Sequence, residues 1–289
     1  MKFNIVIDFQ AQLSYNSHIE SAGDFMIINE QFIMGKHPDR SLCEDSLFIS
    51  DDFIAVLDGV TSKSDKKFND MSGGKAATQI AIDVLKSAPA NIIKAELFQQ
   101  INNAVASLYN GTPTGEAAVC MIVYSNHHKE VWAIGDCQCI INNQSYTHEK
   151  LIDKELSEIR SRVITDALKN GTTITEIAEN DIGRQAIMPQ LKAQHQYANR
   201  TDHPYGYAVL NGTPIDPEAI VTYAVKNGDM VILASDGYPK LFDTLQKSED
   251  YLAHILKTDP LCFNEYKSSK GLKKGNLSFD DRTYIKFIV

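Results

Sequence analysis

The stretch that decides the fold runs from Asp45 to Gly59 and reads Asp-Ser-Leu-Phe-Ile-Ser-Asp-Asp-Phe-Ile-Ala-Val-Leu-Asp-Gly. Two apolar runs of strand length flank Asp51-Asp52, an arrangement typical of a tight β-hairpin. In a two-residue hairpin closed there, Asp45 faces Asp58 at the open end. Facing Cβ atoms lie roughly 4.5–5.5 Å apart, a distance at which like charges destabilise the pair. The hairpin therefore predicts a bound cation beside Asp58.

Acidic residues recur at the ends of other predicted strands. Asp136 follows an apolar run at 131–134, Asp236 follows another at 230–235, and Asp280-Asp281 precede the last one. A single Asp-Gly is the commonest kind of turn, so no one of these is informative alone. Several strands that each carry an acid to one rim indicate a metal site. All-oxygen ligands without a supporting His or Cys favour Mg²⁺ or Mn²⁺ over Zn²⁺.

The composition is that of an ordinary globular protein, with 289 residues, 43% of them hydrophobic, and a net charge of −9. A negative chain lacks the basic face that nucleic acids require. No apolar run approaches the roughly 18 residues of a membrane helix, so we expect no membrane association. The first eight residues lack a signal-peptide core, which predicts a cytoplasmic protein. Five Cys are too few for a disulfide framework.

The apolar periodicity predicts an α+β fold, in which antiparallel sheets are covered by helices. We expect one domain over 1–289, with a polar helical insertion at about 147–200 that is broken at Asn170-Gly171 and at Pro189. The other predicted elements are a strand pair within 24–34 around Asn29-Glu30, helices over 72–86, 91–109 and 248–257, a hairpin from 117–124 to 130–134, and strands near 205–210, 220–225, 230–234 and 283–289.

The acidic rim suits phosphate chemistry. Three or four carboxylates exceed the charge of one divalent ion, so two ions that share Asp58 are the natural arrangement. Two such ions about 3.5–4 Å apart acidify a water and clamp the oxygens of a displacement on phosphorus. Arg40, four residues before Glu44, could grip phosphate oxygens with its guanidinium. The alternative is a surface Arg40 paired with Asp39 or Glu44.

An ordered set of motifs resembles the metal-dependent protein phosphatases of type 2C, the PPM family. The likeness runs from about residue 40 to the C-terminus and leaves out 147–200. Its motifs are Arg40…Glu44-Asp45, Val56–Gly59, Ser72–Ala77, Gly115–Ala118, Ala133–Asp136, Leu233–Gly237 and Asp280–Thr283. The resemblance implies a four-layer αββα sandwich with two Mn²⁺ or Mg²⁺ ions in a cleft at one end. It also implies hydrolysis of phosphoserine or phosphothreonine in a phosphoprotein substrate.

The resemblance also implies a role for each matching residue. Asp58 would bridge the two ions, and the Gly59 carbonyl would bind one of them. The other expected roles are metal binding by Asp236 and Asp280, binding through a water by Glu44, orientation of the attacking water by Asp45, and phosphate binding by Arg40.

The sequence departs from the family pattern at several positions. Val60 stands where many eukaryotic members have a His that protonates the leaving group, and Lys240 stands where an Asp serves a third metal. Asp136 remains a candidate for a third ion. An extra loop at 60–71 carries Lys63, Lys66 and Lys67, which could contact an acidic substrate or be solvated. The insertion at 147–200 coincides with a variable flap beside the family's active site.

Three functions are consistent with these features. The first is an active phosphoprotein phosphatase. The second is a small-molecule phosphate monoesterase on the same fold, suggested by the atypical insertion at 147–200. The third is a non-catalytic phosphate-sensing or regulatory module, suggested by Val60 and Lys240.

Overall fold

A computed structural model describes residues 26–289. It contains two antiparallel sheets of five strands each, in the orders β1-β10-β9-β6-β7 and β2-β3-β4-β5-β8. The strands are β1 (Ile27–Met34), β2 (Ser46–Ile49), β3 (Phe53–Gly59), β4 (Val119–Ser125), β5 (Glu130–Ile134), β6 (Gln138–Ile141), β7 (Gln144–Tyr146), β8 (Val221–Ala224), β9 (Met230–Ala234) and β10 (Arg282–Ile288).

Six α-helices accompany the sheets within residues 26–289. They are α1 (Gly73–Ser87), α2 (Lys94–Ala106), α3 (Leu151–Lys169), α4 (Ile174–Glu179), α5 (Ile182–Ala193) and α6 (Leu245–Thr258). Short 3₁₀ turns occur at Arg40–Leu42, Gln194–Tyr197 and Pro217–Ala219. None of the helices in this part of the chain is long and apolar enough to cross a membrane.

Strand β3 shows how the layers form. Its side chains alternate between two faces, as the pleat of a strand requires. Phe53, Ala55 and Leu57 lie in a core shared with α1 and α2. Ile54 and Val56 lie in a second core, between the two sheets. Both faces of β3 are therefore buried, and a helical layer covers its sheet.

The other sheet is covered in the same way. Ile232 of β9 and Tyr284 of β10 lie with Leu245 of α6 in a third core on that sheet's outer side. The layers therefore run helix, sheet, sheet, helix. This confirms the predicted α+β sandwich of two antiparallel sheets flanked by helices.

Local pairings follow the sequence predictions. Leu47 of β2 faces Val56 of β3, which is the register expected for a hairpin closed by Asp51-Asp52. The predicted helices at 72–86 and 91–109 correspond to α1 and α2, and the hairpin at 117–134 corresponds to β4 and β5. The break at Asn170-Gly171 separates α3 from α4.

Three predictions about local structure are wrong. Instead of a strand pair around Asn29-Glu30, β1 is one strand with a bulge there, because it pairs throughout with β10. Pro189 lies inside α5, where burial of the neighbouring Ile187 and Leu191 offsets the lost hydrogen bond. The stretch 205–210 forms isolated bridges only, since the Asn199 side chain takes up the backbone groups of Val209. Residues 24 and 25 of the first prediction lie outside the described residues.

The start of α1 lies against the end of β3. Ser72 caps the helix by accepting a hydrogen bond from the backbone of Lys75. A Cβ atom on Gly74 would lie 2.7 Å from the carbonyl carbon of Gly59. A side chain at either glycine would therefore push α1 away from the strand end that carries Asp58.

Gly74→Ala tests this contact. We expect it to lower the unfolding free energy by about 1–3 kcal/mol, because the added methyl group meets backbone atoms that cannot move aside cheaply. Gln79→Ala, on the exposed face of the same helix, is the control and should change stability by less than about 0.5 kcal/mol. Urea unfolding measures both, and equal stabilities of the two variants would contradict the close contact.

Candidate metal centre

Three aspartate carboxylates meet at one end of the sandwich. One oxygen from each of Asp58, Asp136 and Asp236 lies within 4.8 Å of the other two. Asp58 is at the end of β3 and Asp136 follows β5. These strands run in the same direction because each is antiparallel to β4. Asp236 follows β9 of the other sheet, so the cluster spans both sheets.

Burial and repulsion within the cluster alter the acidity of its members. Burial, followed by the charges of Asp236 and Asp45, raises the pKa of Asp58 well above its usual value. Burial and the charges of Asp136 and Asp280 raise the pKa of Asp236 to about 7. Among residues 26–289, no side chain or backbone N–H donates a hydrogen bond to either carboxylate, and neither has an ion-pair partner. Two partly buried carboxylates without partners in this part of the chain suit a divalent cation with oxygen ligands.

Asp136 differs from the other two because it has a counter-ion. Lys150 Nζ donates to Asp136 Oδ2 at 2.6 Å. Although burial acts in the opposite direction, Lys150 holds the pKa of Asp136 below its usual value. Asp136 therefore stays ionised beside two carboxylates that resist ionisation without a cation.

A second acidic group surrounds Lys36. It consists of Glu44, Asp280 and Asp281, and Lys36 Nζ forms ion pairs with all three. Although burial acts in the opposite direction, Lys270 and Lys36 lower the pKa of Asp280 to about 2. Glu44 also accepts hydrogen bonds of 2.6 Å from Thr61 Oγ1 and Ser72 Oγ. The carboxylates of this second group are therefore already paired with Lys36 and Lys270.

Lys36 was not predicted as a site residue from the sequence. It follows β1, and Met34 at the end of β1 pairs with Arg282 at the start of β10. That pairing brings Lys36 beside Asp280-Asp281. The signal in the sequence is a lysine just after one strand, β1, and two aspartates just before the strand that pairs with it, β10. It can be read only when the pairing of these two distant strands is known.

Asp45 is buried, and its charge acts on Asp58. Its Oδ2 accepts hydrogen bonds from Ser235 Oγ at 2.7 Å and from Thr283 Oγ1 at 2.9 Å. Burial, more than the nearby charges, raises the pKa of Asp45. Two hydroxyl groups thus fix the orientation of this carboxylate.

A cleft of about 350 Å³ opens above the three aspartates. Asp58, Gly59, Asp136, Asp236 and Asp280 are part of its lining. Four lysines also line the cleft, namely Lys63, Lys150, Lys267 and Lys270. The insertion contributes one wall, through Lys150 and Asp153 of its first turn and Leu191 of α5. An acidic floor with lysines around it is an arrangement that can hold a metal and an anion together.

The remaining predicted residues lie outside this cleft. Arg40 is exposed on a 3₁₀ turn, and it forms no ion pair with Asp39, Glu44 or any other residue that the structure describes. Lys66 and Lys67 line a separate depression, where the Lys66 ammonium lies over the rings of Phe68 and Tyr109. Of the three loop lysines, Lys63 therefore faces the candidate centre.

The fold and the acidic centre define a class of four-layer αββα proteins with a candidate divalent-metal site at one end. The structure is similar to solved serine/threonine phosphatases of the PPM type. No family model and no curated protein sequence matches this chain.

Three of the solved structures illustrate the likeness. The catalytic domain of the phosphatase PstP in complex with two manganese ions is 14% identical, with a TM-score of 0.48 over 91% of this chain and 98% of that one. The phosphatase MsPP from Mycobacterium smegmatis is 13% identical, with a TM-score of 0.44 over 96% and 100%. RsbX in complex with magnesium is 12% identical, with a TM-score of 0.45 over 94% and 98%. At such identities the activity of these proteins does not carry over to this chain.

The raised pKa of Asp236 predicts a pH-dependent stability for the metal-free protein. Its folded-state pKa of about 7 lies above the ordinary 3.8, so the folded state binds more protons between these values. The contribution of Asp236 to the unfolding free energy therefore falls as pH rises from about 4 to 7. We expect Asp236→Asn, measured in chelator, to gain roughly 2–4 kcal/mol of unfolding free energy relative to the parent protein across this range.

Denaturant unfolding at a series of pH values measures this difference. Asp166→Asn, an exposed position on α3, is the control and should follow the parent protein at every pH. A difference in unfolding free energy between Asp236→Asn and the parent protein that does not change with pH would contradict the repulsion.

Proposed function

We propose that this chain is a PPM-type phosphatase that uses divalent metal to hydrolyse phosphoserine and phosphothreonine monoesters by direct attack of water. One observation carries the proposal. Two partly buried aspartates without any partner in the described chain, Asp58 and Asp236, meet Asp136 on the floor of a lysine-lined cleft. The aspartates on the cleft floor need a cation to offset their repulsion. The lysines around them attract an anion. A phosphate ester bound to metal ions meets both needs.

The chain offers oxygen ligands for two Mn²⁺ or Mg²⁺ ions. We propose that the two ions would share Asp58, that the Gly59 carbonyl would bind one of them and Asp236 and Asp280 the other, and that Glu44 would act through a bound water. Asp136 is the ligand available to a further ion. Ions bound in this way acidify water and draw charge from the phosphate oxygens.

The protein's own side chains would orient the reactants. Asp45, whose carboxylate is fixed by Ser235 and Thr283, is placed to direct the attacking water. Lys63, Lys267 and Lys270 supply positive charge around the cleft, and this charge favours a phosphate dianion. Val60 lines the cleft and offers no proton to the leaving group.

Arg40 is the proposed phosphate ligand, although it does not line the cleft itself. Its guanidinium has no ion pair in the described part of the chain, so the alternative pairing with Asp39 or Glu44 does not occupy it. A free, exposed guanidinium can bind two phosphate oxygens without first breaking an internal contact.

We also propose a single domain over 1–289, in which the insertion at about 147–200 is a flap that selects a cytoplasmic substrate. Support comes from its contacts with the cleft through Lys150, Asp153 and Leu191. The same wall favours the second candidate function, hydrolysis of a small phosphate ester. A cleft of about 350 Å³ lies within the size range of small-molecule sites.

Removal of the metal or of Asp58 tests the proposed activity. We expect hydrolysis of p-nitrophenyl phosphate and phosphothreonine peptides with Mn²⁺ or Mg²⁺, and none in excess chelator. Asp58→Asn should lower kcat at least about 100-fold, because the shared ligand loses its charge. Asp166→Asn is the charge-matched control and should retain parental kcat.

The substrate panel separates the alternatives. A much higher kcat/KM on one metabolite than on any phosphopeptide would favour the small-molecule phosphatase. Full activity in chelator would contradict metal-dependent hydrolysis. A properly folded protein that binds no Mn²⁺ would favour the non-catalytic regulatory module.

Arg40→Gln tests the proposed phosphate contact. We expect KM for a phosphothreonine peptide to rise about 5- to 20-fold, because a bidentate charged contact to phosphate is lost. Lys86→Gln, at an exposed lysine of α1 paired with Asp83, is the control and should leave KM unchanged. An unchanged KM in Arg40→Gln would exclude Arg40 from phosphate binding.

A further inference from the structure

Three cations come together on the side of the cleft that the insertion forms. Lys63 and Lys270 line the cleft. Arg184 of α5 donates from Nη1 to the carbonyl of Ser269 at 2.6 Å, and Ser269 also lines the cleft. Lys270 is paired with Asp280, whereas Lys63 and Arg184 form no ion pair within residues 26–289. Two of the three cations therefore lack a carboxylate partner in this part of the chain.

The strongest charges around Lys63 are positive. Burial in the cleft, followed by the charges of Lys270 and Arg184, lowers the pKa of Lys63 to about 7. The charges of Asp153 and Asp280 act in the opposite direction and are weaker. An opposite charge close to an ammonium group favours its charged form. An anion bound beside Lys63 would therefore offset the repulsion among these cations.

Lys63 lies to one side of the aspartate floor. Lys270 is among the charges that act most on Asp236, and Lys63 is not. The charges that act most on Asp58 likewise do not include Lys63. Lys63 is therefore nearer to the insertion than to the floor. A group that binds Lys63 is distinct from a phosphate held by ions at the floor.

The side chain of Lys63 can accept such a group. An ammonium group has three N–H donors. Within residues 26–289, the Lys63 ammonium donates one hydrogen bond, to the Thr61 carbonyl at 2.6 Å. Two donors are therefore available to a ligand in the cleft.

Arg184 is held in place behind this wall. Asp181 caps α5 and accepts from the backbone N–H of Arg184 at 2.8 Å. A Cβ atom on the neighbouring Gly183 would lie 2.8 Å from Cγ of Arg160, so α5 packs closely on α3. The charge of Arg184 is therefore fixed near Lys63 by the packing of the insertion.

We propose that Lys63, Lys270 and Arg184 form a subsite for a carboxylate of the substrate, supplied by an acidic residue close to the phosphorylated one. The inference rests on the proposed function, which places the scissile phosphate at the metal ions. A cleft of about 350 Å³ has a mean width of roughly 7 Å, which two extended residues span. The acidic residue therefore lies within two positions of the phosphorylated residue.

Phosphothreonine peptides that differ in one residue test this inference on the full chain with MnCl₂. Each peptide carries a single Glu at one of the four positions within two residues of the phosphothreonine, and its partner carries Gln at the same position. For at least one position, we expect the parent protein to show a kcat/KM about 5- to 20-fold higher with Glu than with Gln, because a charged contact is gained.

Three variants locate the contact. Lys63→Met should lower this Glu-to-Gln ratio to less than about twofold, because it removes the donor in the cleft. Arg184→Gln should lower the ratio at least about twofold, because it removes a charge from behind the wall. Lys67→Met is the matched control, since Lys67 belongs to the same loop but lines the separate depression. It should keep the parental ratio.

The outcomes separate the subsite from the function on which it rests. Equal kcat/KM for every Glu and Gln pair in the parent protein would overturn the subsite and leave the proposed function standing. So would an unchanged ratio in Lys63→Met or Arg184→Gln, or a ratio lost in Lys67→Met.

A parent protein that hydrolyses no peptide would overturn the proposed function. The Kd values of the same peptides in MnCl₂, measured by calorimetry, then test the subsite through the same Glu-to-Gln ratio and the same variants. No binding of any peptide would overturn both.

Discussion

Three aspartate carboxylates converge where the ends of β3, β5 and β9 meet, and their mutual repulsion is the constraint on which the rest of the site depends. Two unit charges 4.8 Å apart repel by roughly 3 kcal/mol at an effective dielectric constant of about 20. That is a large fraction of the stability of a typical domain. The fold accepts this repulsion in a partly buried place, which is reasonable only where a cation offsets it.

The chain offsets the remaining acidic charge with its own lysines and holds the cleft wall with a buried arginine. Lys150 pairs with Asp136, while Lys36 and Lys270 pair with Asp280. Arg160, which is fully buried in α3, donates to Asp181 and to the carbonyls of Leu261, Cys262 and Ser268. The insertion and the loop that carries Lys270 are thereby joined. The candidate metal centre and the cleft wall formed by the insertion are therefore part of one packed unit.

The sequence predicted the features that depend on local pairing. The hairpin closed by Asp51-Asp52 fixes the register that places Asp58 at a strand end, and the same logic applies to Asp136 after β5. Features that depend on distant pairing were missed. Lys36 meets Asp280 only because β1 pairs with β10 at the far end of the chain, and Lys150 meets Asp136 only because the insertion folds back over the cleft. Pattern and propensity do not encode such contacts.

Anomalous diffraction at the manganese edge, from crystals of the full chain grown with Mn²⁺ and phosphate, shows directly whether a cation lies between the three carboxylates. We expect an anomalous peak among the carboxylates of Asp58, Asp136 and Asp236, at roughly 2.0–2.3 Å from their oxygens, with phosphate density in the cleft above it. Ordered side chains with no anomalous peak between them would show that no cation offsets their repulsion.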